Sequence, residues 1–190
     1  MARTVRLAPF LAALPLIALG LWIADRAAAP VPPERPPEAP AKAGAPEPLP
    51  SAAAVGAARR SGIERYAGDG VYTYLDGGAE AYLSRGLEAI AVARYTVPAA
   101  GGGEGEIEAA AMRFRTARGA EAQWTALAPR GAEPVEGVPG AILGRGELVA
   151  LRGRWLLHAV AYDPDAVDRE ALVRLAAAWS AMAGRGDGRG

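Results

Sequence analysis

Apolar residues at Val71, Tyr74, Leu75, Gly78 and Tyr82 recur three or four positions apart, which draws one stripe along a helix. Asp69 stands at the N-cap position and Gly86 at the left-handed C′ position, so the pattern predicts a helix over residues 70–85. The period then changes to two. Over residues 89–97, Ile90, Val92 and Arg94 alternate with Ala91, Ala93 and Tyr95, and over 106–115 Ala110, Met112 and Phe114 oppose Arg113 and Arg115. Both segments read as strands. Thr116 caps a short helix whose buried edge is Ala120, Trp124 and Leu127, and residues 128–144 read as a long connection rich in proline and glycine. Two further strands, 147–151 and 154–162, are joined by Arg152-Gly153 as a primed hairpin turn. That register sets Leu151 opposite Arg154, Val149 opposite Leu156 and Glu147 opposite His158, with Leu148, Ala150, Trp155 and Leu157 on the core side. A last helix starts at Asp163-Pro164-Asp165, buries Leu172, Leu175, Ala176, Trp179 and Met182, and stops at Gly184.

Ahead of this lies a different kind of sequence. Arg3 and Arg6 precede an uncharged run at residues 7–24, whose helical length of about 27 Å approaches a bilayer core of about 30 Å. A positive flank before such a run is an export signal with its N-terminus in the cytoplasm. The length of the run and Pro30, which follows Ala27-Ala28-Ala29, favour a retained signal anchor over a cleaved signal peptide. Residues 30–50 hold nine prolines and suit an extended linker reaching roughly 65 Å. The division expected is a signal anchor or signal peptide at 1–26, a Pro/Ala-rich linker at 27–56, a globular domain at 57–184 and a disordered tail at 185–190.

Within the central helix, Gly77-Gly78 costs roughly 1 kcal/mol per residue relative to alanine. Either a neighbouring backbone approaches closely there or the helix breaks. Tyr72, Asp76 and Glu80 form a second row at i, i+4, i+8, and two carboxylates one turn apart can share a proton, hold a cation or accept hydrogen bonds from a ligand. The candidate ligand-binding residues are therefore Tyr72, Tyr74, Asp76, Gly77, Gly78 and Glu80. Glu147 and His158 form a second candidate, since a carboxylate can orient the chain's single imidazole as a base.

The run Tyr72-Thr-Tyr-Leu-Asp-Gly-Gly-Ala-Glu-Ala-Tyr-Leu-Ser-Arg-Gly86, followed by a strand ending Val92-Ala-Arg-Tyr95, resembles an uncharacterised family of exported bacterial domains. That family's hallmark is Tyr-x-Tyr-Ile/Leu-Asn/Asp-Gly-Gly/Ala-Ala-Glu/Asp. The match is specific over residues 71–95 and looser over 106–127. The family has no assigned activity, so the resemblance implies an exported location and a domain identity, and implies no catalytic residues.

Composition removes several functions. The 21 basic and 21 acidic residues cancel, which leaves no polyanion-binding field and makes nucleic acid an unexpected partner. With no cysteine and one histidine, disulfides, thiol chemistry and a structural zinc site are not expected. The glycines after Pro98 do not open a helix behind a strand, as a phosphate cradle requires. Asp163, Asp165 and Asp168 lack the turn glycine and terminal glutamate of a calcium loop. No cofactor is expected.

Together these patterns predict an α+β domain: an antiparallel sheet of about four strands with helices packed on one face, in the order α-β-β-α-β-β-α, the central and last helices covering the sheet side by side. Two functions compete. One is a non-catalytic envelope module, bound to the membrane through residues 7–24 and recognising an envelope protein or a glycan. The other is a periplasmic enzyme using Asp76, Glu80 or His158 for acid–base work, which requires those groups to converge in one cleft.

Overall fold

The computed structural model describes residues 49–99 and 102–186. The hydrophobic segment expected at 7–24, the linker up to residue 48 and the last four residues lie outside the described residues. Among the described residues, no helix is long and apolar enough to cross a membrane.

The elements in chain order are helix α1 (Ala52–Val55), strands β1 (Arg59–Arg60) and β2 (Glu64–Ala67), helix α2 (Gly70–Leu75), a single 3₁₀ turn (Asp76–Gly78) and helix α3 (Ala79–Ser84). Strands β3 (Leu87–Pro98) and β4 (Glu104–Phe114), helix α4 (Ala117–Leu127) and strands β5 (Glu133–Pro134), β6 (Ala141–Leu143), β7 (Glu147–Arg152) and β8 (Trp155–Ala161) follow, and helix α5 (Arg169–Gly186) comes last. The strands make one antiparallel sheet in the order β1-β3-β4-β8-β7-β6-β5, with β2 also paired to β3.

The sheet thus has eight strands where four were expected, and the element order is correspondingly longer. The additional strands are two to four residues long, too short for an alternating pattern to register. Two of them, β5 and β6, lie inside the stretch read as a plain connection. Gly140, at φ +82°, brings β6 against the end of β7, where an added Cβ would stand 2.6 Å from the Leu151 carbonyl oxygen. That contact admits only glycine.

Helices cover both faces of the sheet instead of one. Ala93, Tyr95 and Val97 of β3 point into a cluster with Leu172, Leu175, Ala176 and Trp179 of α5, while Ile90 and Val92 of the same strand join Val71, Ala79 and Ala120 from α2, α3 and α4. This explains why the middle of β4, Ala109-Ala110-Ala111-Met112, is buried at four consecutive positions. The central and last helices, expected as neighbours, are therefore on opposite sides of the sheet.

Leu49 and Val55 are buried against the α5 side. There the Tyr95 hydroxyl donates to the Pro50 carbonyl oxygen at 2.7 Å, and Arg60 donates to the carbonyl oxygens of Leu49 and Pro50. Helix α5 starts at Arg169, six residues after the expected start, because Asp163 closes a turn onto the amides of Asp165 and Ala166. Asp168 supplies the cap, accepting from the Glu170 amide at 3.1 Å, and the helix passes the expected stop at Gly184 to reach Gly186.

The β7–β8 hairpin turns at Gly153-Arg154, with glycine first at φ +54°, and pairs Arg152 with Trp155 and Leu151 with Leu156. Relative to the expected register the strands are displaced by two residues, which keeps every side chain on its face. Glu147 now stands opposite Val160, and Val149 opposite His158.

Candidate functional site

The helix expected over residues 70–85 is broken at its double glycine. The chain makes α2, one 3₁₀ turn at Asp76-Gly77-Gly78, and α3. Asp76 takes φ +46° and ψ −136°, and it is the single non-glycine with positive φ among the described residues. A backbone state of that kind costs of order 1–3 kcal/mol and persists where the surroundings enforce it. A Cβ added at Gly77 or Gly78 would meet nothing within 4 Å, so the glycines mark the break and no close backbone approach.

The break is held from behind. Helix α4 comes so close to the end of α3 that a Cβ on Gly119 would lie 2.0 Å from the Arg85 carbonyl oxygen. Arg85 donates to the buried Gln123 side chain at 2.6 Å, and the Arg115 amide donates to the Gly86 carbonyl oxygen at 2.8 Å. Gly86 has φ +87°, as a left-handed C-terminal residue requires.

The sequence candidates separate here. Tyr72 is 45% exposed, and Asp76, Gly77, Gly78 and Glu80 are exposed as well. Neither Asp76 nor Glu80 makes a side-chain hydrogen bond or ion pair among the described residues, and none joins them to His158. Tyr74 turns the other way, onto the sheet, where its hydroxyl donates to Glu108 at 3.1 Å. Glu147 and His158 do meet, Oε1 to Nε2 at 2.8 Å, through a diagonal contact across β7 and β8.

Glu108 is the centre of a cluster that sequence reading missed. Its carboxylate, 17% exposed, accepts from the hydroxyls of Tyr74 and Tyr162 (the latter at 2.9 Å) and from Arg94 Nε at 3.3 Å. Tyr66 of β2 stacks on Tyr74, ring centroids 5.3 Å apart, and donates its hydroxyl to Glu64. The one signal available in the sequence was the alternation of β4, which puts Glu108 in phase with Ala110 and Met112, a carboxylate on an apolar face.

The phenols respond to this setting. The hydrogen bond to Glu64, with burial adding to it, pushes Tyr66 up to about 12. Burial first and the Glu108 charge second push Tyr74 higher still, and Tyr162 shifts upward for the same reasons. Burial raises Tyr82. The cluster therefore holds protonated phenols in fixed orientation around one carboxylate. It contains no nucleophile–base pair.

Among the described residues, no group of three or more histidine and acidic side chains is placed to hold a metal ion. No protein-family model matches the chain, and no curated protein matches it. Among solved structures, the extracellular domain of PknH from Mycobacterium tuberculosis is similar with a TM-score of 0.41 and 14% identity, over 67% of this chain and 84% of that one. A likeness at that level carries no functional information.

Proposed function

We propose that the chain is a non-catalytic binding module of the bacterial cell envelope, exported and either anchored by residues 7–24 or released, and that it binds a glycan on the tyrosine cluster around Glu108. The observation that carries this reading is Tyr162. The residue is 63% exposed although its hydroxyl is tied to Glu108, so the side chain is oriented in advance and accessible to solvent. A sugar presents an apolar C–H face that stacks on such a ring, and hydroxyls that pair with exposed donors and acceptors, here Arg94 and Glu106. Preorganisation lowers the ordering cost of binding. The near-zero net charge suits a weakly charged polymer better than a polyanion. The resemblance to exported bacterial domains and the N-terminal segment support the location.

Co-sedimentation of the full chain with purified cell-wall glycan tests the reading. The wild type is expected to pellet with the glycan, and Tyr162→Ala to lose at least tenfold in affinity with its unfolding curve unchanged. Equal pelleting by the two chains, or no pelleting by the wild type, sinks it. A C-terminal reporter active only in the cytosol removes the envelope location.

A further inference from the structure

We propose that a second site, independent of the tyrosine cluster, binds a small amphiphilic anion: a carboxylate or phosphate carrying a short apolar chain. A cleft of about 470 Å³ opens where the β6–β7 loop, the loop before β5 and the start of α5 meet, lined among others by Arg130, Glu133, Leu143, Arg145, Arg169 and Leu172. That volume falls in the range of small-molecule sites, roughly 300–1,000 Å³.

The floor and the rim differ in character. Leu143 and Leu172, with Val167 beside them, are buried members of the core on the α5 face, so the bottom of the cleft is apolar. Three guanidinium groups stand around it against the lining carboxylate Glu133 and Asp165 beside it, which leaves an excess of one positive charge. The local excess of positive charge sets the sign of the ligand. Arg145 is engaged with both oxygens of the exposed Asp165 at 3.0 Å, and Arg169 lies 3.5 Å from Glu133. Such exposed pairs are worth about 0–1 kcal/mol, so an incoming anion exchanges for them at little cost. Arg130 makes no hydrogen bond or ion pair among the described residues. Planar guanidinium groups suit carboxylate and phosphate oxygens bidentately.

The wall that carries Arg145 is built for close packing. In Gly144-Arg145-Gly146, a Cβ at Gly144 would stand 2.7 Å from Pro129 and a Cβ at Gly146 2.8 Å from Pro164, and Gly146 has φ +73°. The Gly144 amide donates to the Glu147 carbonyl oxygen, and the Gly146 carbonyl oxygen accepts from the Ala161 amide, each at 2.8 Å. The loop is wedged between two prolines and tied at both ends, which fixes where Arg145 is presented.

Calorimetric titration of the purified full chain with hexanoate, hexyl phosphate, inorganic phosphate and hexanol tests the site. Hexanoate or hexyl phosphate is expected to bind, the preferred head group identifying the anion, while inorganic phosphate binds at least tenfold more weakly and hexanol not at all. Arg130→Glu, a change at an exposed position, is expected to weaken binding at least tenfold, and Arg118→Glu on α4 to leave it unchanged. The inference fails if neither amphiphile binds, if Arg130→Glu binds as the wild type does, or if inorganic phosphate equals hexyl phosphate, since the apolar floor then plays no part.

Discussion

The two faces of the sheet are covered by helix used in opposite ways. On one face a single continuous helix, α5, lays Leu172, Leu175, Ala176 and Trp179 against Tyr95, Leu148 and Leu157, and its burial is almost entirely apolar. On the other face the cover is α2, a 3₁₀ turn, α3 and α4, and that side accepts several costs. Asp76 sits at positive φ, two glycines are exposed in the break, the Trp124 indole N–H is buried without a partner among the described residues, and Glu108 is drawn into a network of phenols and a guanidinium. An unpaired buried donor alone costs about 1–3 kcal/mol. One face supplies stability. The other spends some of it, and departures from local rules of this kind concentrate where a protein binds something.

The sharpest way to break that contrast is to damage each face in turn. Trp179→Ala is expected to remove about 3–5 kcal/mol of stability by chemical denaturation while leaving the upward-shifted tyrosine titrations in place in the protein that remains folded. A loss below about 1 kcal/mol would falsify the assignment of the main stabilising core to the α5 face. Glu108→Gln keeps the shape of the side chain but puts an amide N–H₂ where an oxygen accepted, so it is expected to cost about 1–2 kcal/mol. It should also bring Tyr74 and Tyr162 back toward ordinary phenol behaviour, read from phenolate absorbance. A variant that unfolds like the wild type and titrates like it would show that the network is incidental.

Alkaline pH tests the same cluster without mutation. Tyr66 is pushed up to about 12 in the folded chain, while an unfolded tyrosine titrates near 10. The folded state thus holds the proton more tightly, so its contribution is complete below about pH 10 and is lost as pH rises toward 12. Urea unfolding on either side of about pH 10 should show stability falling, and Tyr66→Phe should flatten that slope. The smallest effect has the opposite sign. Gly77→Ala and Gly78→Ala, at positions open to solvent and outside the left-handed region, are each expected to raise stability by about 0.5 kcal/mol. A loss of glycan affinity accompanying that gain would assign the glycines to the ligand.

Much of the local structure was legible in the residues. The period-two segments in 89–97 and 106–115 became β3 and β4, Thr116 caps α4 by accepting from the Gly119 amide at 3.1 Å, and Gly86 is left-handed. The core side of the hairpin held even though its register moved, because a displacement of two residues preserves side-chain phase. Glu108 was overlooked because a carboxylate one step along an apolar row carries no spacing of its own. Its partners come from residues 14, 34 and 54 positions away.

By itself the sequence determined what depends on neighbours three or four residues apart: helix stripes, strand alternation, caps and turn glycines. The expectation of an export segment and an extended linker rests on residues 1–48, which lie outside the described residues. Only the tertiary structure decided that the central and last helices lie on opposite faces, that β1, β2, β5 and β6 extend the sheet, and that Tyr66, Tyr74, Arg94 and Tyr162 gather around Glu108. The reason is physical. Periodicity records which side of an element avoids water, and a strand buried on both sides looks the same whichever helix covers which face, so that choice rests on contacts between residues far apart in the chain.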